Sequence, residues 1–280
     1  MEKRGLSLAE IQEVPKGNLI LLTGPPGAGK STFCHQTVLN AIVAERPTIF
    51  VTTEQSPAAI MRLLREMGMA ETVALNFVDA FTETVGLACT QRLDTVCANC
   101  ADLNSLSIAI TKLQERADPK GTLLIFDSLT SPYLFSGVEV VKFMRLFLSK
   151  FASEGNSVLA LMDEGCGKEE DLGAMMSVAN GILRMEIEDS SRIINVVKHP
   201  KVEPARIEVP TTKIWERKMY DVKFWDREMI GRMMEAEQDL RQQFGVNIFW
   251  PNFALWSSVI WDPKRFPEMT YEVWKEYGSL

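Results

Sequence analysis

The stretch Gly24-Pro25-Pro26-Gly27-Ala28-Gly29-Lys30-Ser31-Thr32 constrains this chain more than any other. It fits the phosphate-loop pattern GxxxxGK[ST] at every required position, and such a loop works only between a buried strand and the start of a helix. Leu19-Ile20-Leu21-Leu22 is wholly apolar, as a strand covered on both faces must be, and Phe33 to Ala44 reads as a helix. The order predicts an α/β core in which backbone N–H groups at a helix N-terminus cradle phosphate oxygens. The glycines leave no Cβ in the way of that wrap. Lys30 then reaches the β- and γ-phosphates of a nucleoside triphosphate, and the Ser31 hydroxyl ligates Mg²⁺. A Gly/Pro turn ahead of an ordinary helix is the plain alternative, and the strand on one side with the helix on the other speaks against it.

Working outward from the loop, Thr48-Ile49-Phe50-Val51-Thr52-Thr53 is rich in β-branched residues and predicts a second strand, parallel to the first through a right-handed crossover. Ser56-Pro57 caps a helix whose apolar positions Ile60, Leu63, Leu64 and Met67 recur at helical spacing until Gly68. Val73 to Val78 reads as a third strand. Asp79 to Ser105 carries Cys89, Cys97 and Cys100 without a clear period and reads as an insertion. A helical pattern resumes from Ile108 to Ala117, and Asp118-Pro119-Lys120-Gly121 turns into Thr122-Leu123-Leu124-Ile125-Phe126-Asp127. An apolar strand ending in a carboxylate beside a phosphate loop can hold the Mg²⁺ shell opposite Ser31, so Asp127 is assigned that role.

Further on, Val138 to Phe151 reads as an apolar helix and Ser157-Val158-Leu159-Ala160-Leu161-Met162 as a buried strand ending at Asp163-Glu164. Gly165 to Ser177 combines glycine and charge with little periodicity and reads as a loop on the ligand side of the sheet. Ile182 to Ile187 and Arg192 to Val197, joined by Asp189-Ser190-Ser191, predict an antiparallel hairpin with Ile207-Glu208-Val209 as a third member.

The phrases Leu22-Thr23-Gly24 through Thr32-Phe33, Phe50-Val51-Thr52-Thr53-Glu54, Ile125-Phe126-Asp127-Ser128-Leu129 and Val178-Ala179-Asn180-Gly181-Ile182-Leu183-Arg184-Met185 resemble the RecA-like P-loop ATPases. Within them the KaiC-like (RadA/KaiC) branch is the nearest match, over roughly Pro15 to Val209. The resemblance implies a RecA-type core, ATP with Mg²⁺ as ligands, and a homo-oligomer that places ATP near subunit interfaces. It implies that Glu54 activates the attacking water, the bland alternative being a residue that only precedes the Ser56-Pro57 helix. It also implies that Lys198 is projected from the hairpin towards a neighbouring subunit's γ-phosphate, against the alternative of a solvated lysine at a strand end. Two departures from the family pattern stand out: Glu54-Gln55 where relatives often carry two acids, and Lys198-His199-Pro200-Lys201 with proline in place of an arginine. Proline cannot supply the planar guanidinium fork. The Gly-rich leader usual ahead of the first strand is missing as well.

Composition narrows the function classes. The chain has 280 residues, 24% of them charged, with a formal net charge of −7, which disfavours a general nucleic-acid coat. No apolar run is long enough to span a membrane and no signal core follows the first residues, so a cytoplasmic location is expected. Five cysteines suggest reduced thiols rather than a disulfide framework. Cys97 and Cys100, with Cys89 upstream, have a spacing that two sulfurs could use on one metal. Lacking an evident fourth ligand, they read as small hydrophobes. His35 and His199 are isolated. All six tryptophans lie from Trp215 onward, so 1–214 reads as the ATPase domain and 215–280 as a helical and Trp-rich extension that docks on the core or meets a protein partner. The expected activity is slow ATP hydrolysis whose nucleotide state controls conformation, oligomerisation or partner binding. A nucleotide-sensing scaffold with little turnover is the rival, and a DNA-recombinase-type ATPase is a more distant one.

Overall fold

In chain order, the computed structural model runs through α1 (Leu8–Gln12), β1 (Asn18–Gly24), α2 (Lys30–Val43), β2 (Thr48–Thr52), α3 (Pro57–Glu66), β3 (Asn76–Asp79), β4 (Thr95–Cys97) and α4 (Leu103–Ala117). It continues through β5 (Leu123–Asp127), α5 (Thr130–Ser136), α6 (Glu139–Phe143), a π-helical turn at Met144–Leu148, α7 (Ser149–Ser153), β6 (Ser157–Asp163), α8 (Glu169–Val178), β7 (Gly181–Glu188), β8 (Ser191–Lys198) and β9 (Ala205–Val209). The structure describes residues 7–69, 75–117, 121–189 and 191–209. The Trp-rich extension and Val73 lie outside the described residues.

The strands form one sheet in the order β4-β3-β2-β5-β6-β1-β7-β8-β9. All pairings from β4 to β7 are parallel, and β7-β8-β9 are antiparallel. Parallel strands covered on both faces need apolar residues at every position, because alternate side chains enter different cores. Strand β1 meets this demand: Leu19 and Leu21 join one core with Ile49, Val51, Leu124, Phe126 and Val158. Ile20 and Leu22 join the other with Phe50, Ile125, Leu159 and Phe33. The first core lies under α4, the α5-to-α7 stretch and α8; the second lies under α1, α2 and α3.

The expected α/β architecture with its terminal hairpin is the one observed, and three readings need correction. Gly165 to Ser177 is not a loop throughout: α8 begins at Glu169. Three acids, Glu169, Glu170 and Asp171, sit in its first turn, where they favour the positive end of the helix dipole. Its register is set by Met175, buried in the core, with Leu172, Met176 and Val178 packed beside it. That spacing is too sparse to stand out beside so many charges. The apolar helix from Val138 is interrupted by the π-helical turn, where Ser149 Oγ donates to Met144 O, and it is preceded by the unanticipated α5. The insertion contributes an edge strand, β4, and Cys89 is bonded to Cys97 as a disulfide, so these two are not free thiols. Cys34 and Cys100 are buried free thiols, as small hydrophobes would be, and Cys166 is partly buried. The two cysteines met because β4 pairs with β3 and brings its last residue, Cys97, beside Asp79.

Candidate functional site

The parallel strands β1, β2, β5 and β6 all point their C-terminal ends to one side of the sheet, and the sequence-predicted residues collect there. The phosphate loop leaves β1 at Gly24, whose φ of 149° and whose nearness to β7 both exclude a side chain: an added Cβ would stand 2.3 Å from Met185 O. Gly29, at φ 99°, is the N-cap of α2 in a left-handed conformation, so the helix starts at Lys30 with its first N–H groups turned towards the loop.

Lys30 is buried, and its ammonium has three oxygen partners. It donates to Gly24 O at 2.9 Å and Pro25 O at 2.8 Å, and pairs with Asp163 Oδ1 at 2.6 Å. Ser31 Oγ donates to Asp127 Oδ1 at 3.3 Å, joining the helix start to the end of β5. The Asp127 carboxyl is pushed up to about 7, first by burial and then by the Glu54 carboxylate. Asp163 adds to the rise, while the Ser31 hydroxyl and Lys30 ammonium oppose it. An acid held this way gains most from a cation placed against it. The hydroxyl of Ser31 and the carboxylate of Asp127 are hard oxygen donors of the kind Mg²⁺ prefers, and they fit that ion.

Glu54 follows β2 and is exposed. It accepts a 2.6 Å hydrogen bond from Ser128 Oγ, and Ser128 is the residue after Asp127. Thr53 fixes this junction, since its Oγ1 donates to Ser128 O and accepts from Ser128 N. Glu54 thus belongs to the same cluster as Lys30, Ser31 and Asp127. Lys198 does not. It ends β8 opposite Ile182, at the other end of the sheet, and donates to Ala179 O at 3.2 Å. Within one chain it is remote from the phosphate loop. The residue of β8 that does approach the loop is Arg192, whose guanidinium would lie 3.4 Å from a Cβ on Gly29.

Sequence reading missed Asp163, Ser128 and Arg192. Asp163 carried a usable signal, being a carboxylate at the end of a buried strand like Asp127. Ser128 lies in one of the phrases that carry the resemblance, but nothing in the sequence tied it to Glu54, and Arg192 carried no signal until the sheet brought it beside Gly29. Around Asp163 the loop is tied down: Asp163 N donates to Thr130 Oγ1 at 2.9 Å, and Glu164 forms a two-pronged pair with Arg184 at 2.8 Å. Tyr133 OH donates to Asp171 Oδ2 at 2.6 Å and accepts from Lys168 N, linking α5 to the start of α8. Among the described residues no helix is long and apolar enough to cross a membrane.

Comparison with known proteins agrees with this geometry. The family described as "ATPase: KaiC" matches residues 6–210. A UPF0273 protein of Aeropyrum pernix is 25% identical over 184 residues, which is 63% of this chain and 72% of the relative. A UPF0273 protein of Methanocaldococcus jannaschii is 36% identical over 81 residues, covering 27% of this chain and 34% of that one. The crystal structure of a KaiC-like protein from Pyrococcus horikoshii superposes with a TM-score of 0.51 at 18% identity, covering 70% of this chain and 85% of that chain, a likeness of fold. With a family match across most of its length and a phosphate loop built as that family requires, the chain belongs to the KaiC-type, RecA-like P-loop ATPases.

Proposed function

We propose that this chain binds ATP with Mg²⁺, hydrolyses it slowly, and uses its nucleotide state to control assembly or partner binding. The observation that carries the reading is the convergence of Lys30, Ser31, Asp127 and Glu54 at one end of the sheet, with Glu54 tethered through Ser128 to the residue beside Asp127. Lys30 neutralises charge on the terminal phosphates after exchanging Asp163 for phosphate oxygen. Ser31 and Asp127 would hold Mg²⁺, which when bound would offset the negative charge that develops during transfer. Glu54 orients and deprotonates the attacking water, for which it needs to lie within hydrogen-bond reach. Its tie to Ser128 fixes its position and also takes up one of its acceptor oxygens.

Slow turnover follows from three features. Gln55 stands where a second acid would help, Glu54 is already engaged by Ser128, and Lys198 is out of reach of its own phosphate loop. If subunits stack, Lys198 can serve the neighbour's site alone, since Pro200 replaces the companion arginine. The Trp-rich extension is then a surface for a partner or a neighbour. The test is hydrolysis and binding measured side by side: Lys30→Ala abolishes ATP binding, and Glu54→Gln abolishes hydrolysis while binding persists. Unchanged turnover in Glu54→Gln removes the base assignment. The Gln55 and Pro200 departures favour one second reading, a nucleotide sensor without turnover. It predicts no product in a single-turnover reaction, yet a different particle size in ATP than in ADP.

A further inference from the structure

The disulfide between Cys89 and Cys97 lies outside the nucleotide site and is flanked by two carboxylates, Glu83 and Asp79. Glu83, Cys89 and Cys97 each offer one donor atom, and the three donors lie within 4.8 Å of one another. A fourth oxygen is adjacent: Asp79 Oδ2 is 3.6 Å from Cys89 Sγ. Asp79 is buried and rigidly placed at the end of β3, accepting at Oδ1 from Phe81 N and Thr82 N and at Oδ2 from Thr82 Oγ1. Around a tetrahedral zinc ion, sulfur and oxygen donors stand about 3.5–3.8 Å apart. In the disulfide the two sulfurs are bonded to each other, so that arrangement forms only after reduction, when the sulfurs separate and exposed Glu83 closes on them.

A second observation says why this part of the chain needs such a centre. None of residues 81–94 is buried, and Val85, Leu87 and Leu93 are 49%, 62% and 91% exposed. A segment with no core of its own is held by a covalent bond or a metal rather than by packing.

We propose that Glu83, Cys89 and Cys97, with Asp79 Oδ2 beside Cys89 Sγ as a fourth donor, form a zinc-class site in the reduced protein. The disulfide is the alternative state of the same two sulfurs. Thiolate ligands select zinc over Mg²⁺, so this centre does not compete for the nucleotide's metal. The states interconvert with balanced chemistry. A dithiol reductant opens the S–S bond, passing two electrons and two protons to the sulfurs as it closes into its own disulfide. Zinc then displaces both thiol protons to solvent. In reverse, a peroxide takes two electrons from the sulfurs, its O–O bond breaks to give two waters with two protons from solvent, and the released ion leaves. The centre lies at the same end of the sheet as the phosphate loop, because Asp79 is paired with Thr52, two residues before Glu54. The proposal is independent of the hydrolysis reading.

The experiment uses the full chain, reduced with a phosphine, stripped with a chelator, desalted and titrated with Zn²⁺ against a chromophoric competitor, with elemental analysis and thiol counting. Reduced protein should take up one zinc per chain and protect two thiols, and Mg²⁺ should not replace it. Peroxide-treated protein should take up none. Cys97→Ser should lose the zinc, and Glu83→Gln, which alters only an exposed side chain, should bind it at least about tenfold more weakly. Cys100→Ala should be unaffected. The proposal is overturned if reduced protein binds no stoichiometric zinc, if Cys97→Ser or Glu83→Gln binds it like the unaltered chain, or if Cys100→Ala abolishes it.

Discussion

Replacing Asp127 with asparagine should make the nucleotide-free protein more stable at pH 8 than the unaltered chain, although it removes the carboxylate proposed to hold Mg²⁺. In the folded state the Asp127 carboxyl titrates at about 7, against 3.8 ordinarily, because burial and then the Glu54 carboxylate oppose its ionisation. A raised folded-state value for an acid means that its contribution to stability is intact below the unfolded value and is lost as pH climbs towards the folded one. At pH 5 only the unfolded chain is mostly ionised, which costs the fold roughly 1.7 kcal/mol; at pH 8 the cost reaches roughly 4 kcal/mol. Asparagine keeps an oxygen to accept from Ser31 and never ionises. The variant's advantage should therefore grow by roughly 2.5 kcal/mol between pH 5 and pH 8. The assay is denaturant unfolding of both proteins at each pH, without nucleotide and with a chelator, since a bound cation would reverse the effect. Equal differences at the two pH values, or a larger one at pH 5, would refute the argument that Asp127 is held as a reluctant anion.

Two other perturbations probe the scaffold. Gly24→Ala sets a methyl 2.3 Å from a backbone oxygen that cannot rotate away, and should cost roughly 3 kcal/mol in unfolding experiments. Gly173→Ala, at a position of α8 with nothing within 4 Å, should instead gain roughly 0.5–1 kcal/mol. A loss at Gly173 or a neutral result at Gly24 would contradict the backbone description. His35 is buried against Phe50 with its Nε2 unpartnered, and burial lowers its titration to about 4 from 6.5. The folded state thus refuses a proton that the unfolded chain accepts. Between pH 7 and pH 5 this group should remove about 2 kcal/mol of stability, a loss absent in His35→Phe and opposite in sign to the Asp127 effect. Identical pH slopes in the two proteins would sink that assignment.

The legibility of this protein follows the range of the interactions involved. The phosphate loop, its flanking strand and helix, and the Asp127 strand were readable because local sequence carries their whole specification: glycines where the backbone must turn, apolar residues at every place in a strand covered on both faces. The α8 helix was not readable, since its register depends on Met175 finding the core and on acids whose value comes from the helix dipole. The Cys89–Cys97 pair was misread for a related reason. The CxxC spacing of Cys97 and Cys100 pairs those two along the chain, whereas in the fold Cys100 is buried and β4, paired with β3, puts Cys97 beside Cys89.

By itself the sequence determined that this is a phosphate-loop α/β protein, with Lys30 and Ser31 in the loop and Asp127 at the end of a buried strand. Only the tertiary structure decided how those groups are held. Asp163 and Lys30 are 133 positions apart, yet strand pairing of β1 with β6 brings them to 2.6 Å. Ser128 secures Glu54 across the β2–β5 pairing, and Lys198 ends up towards the opposite end of the strands from the loop. Motifs fix chemistry over a few neighbouring residues, but register and strand order fix which distant charges face one another. In a site built from the ends of parallel strands, that second set of facts controls the electrostatics.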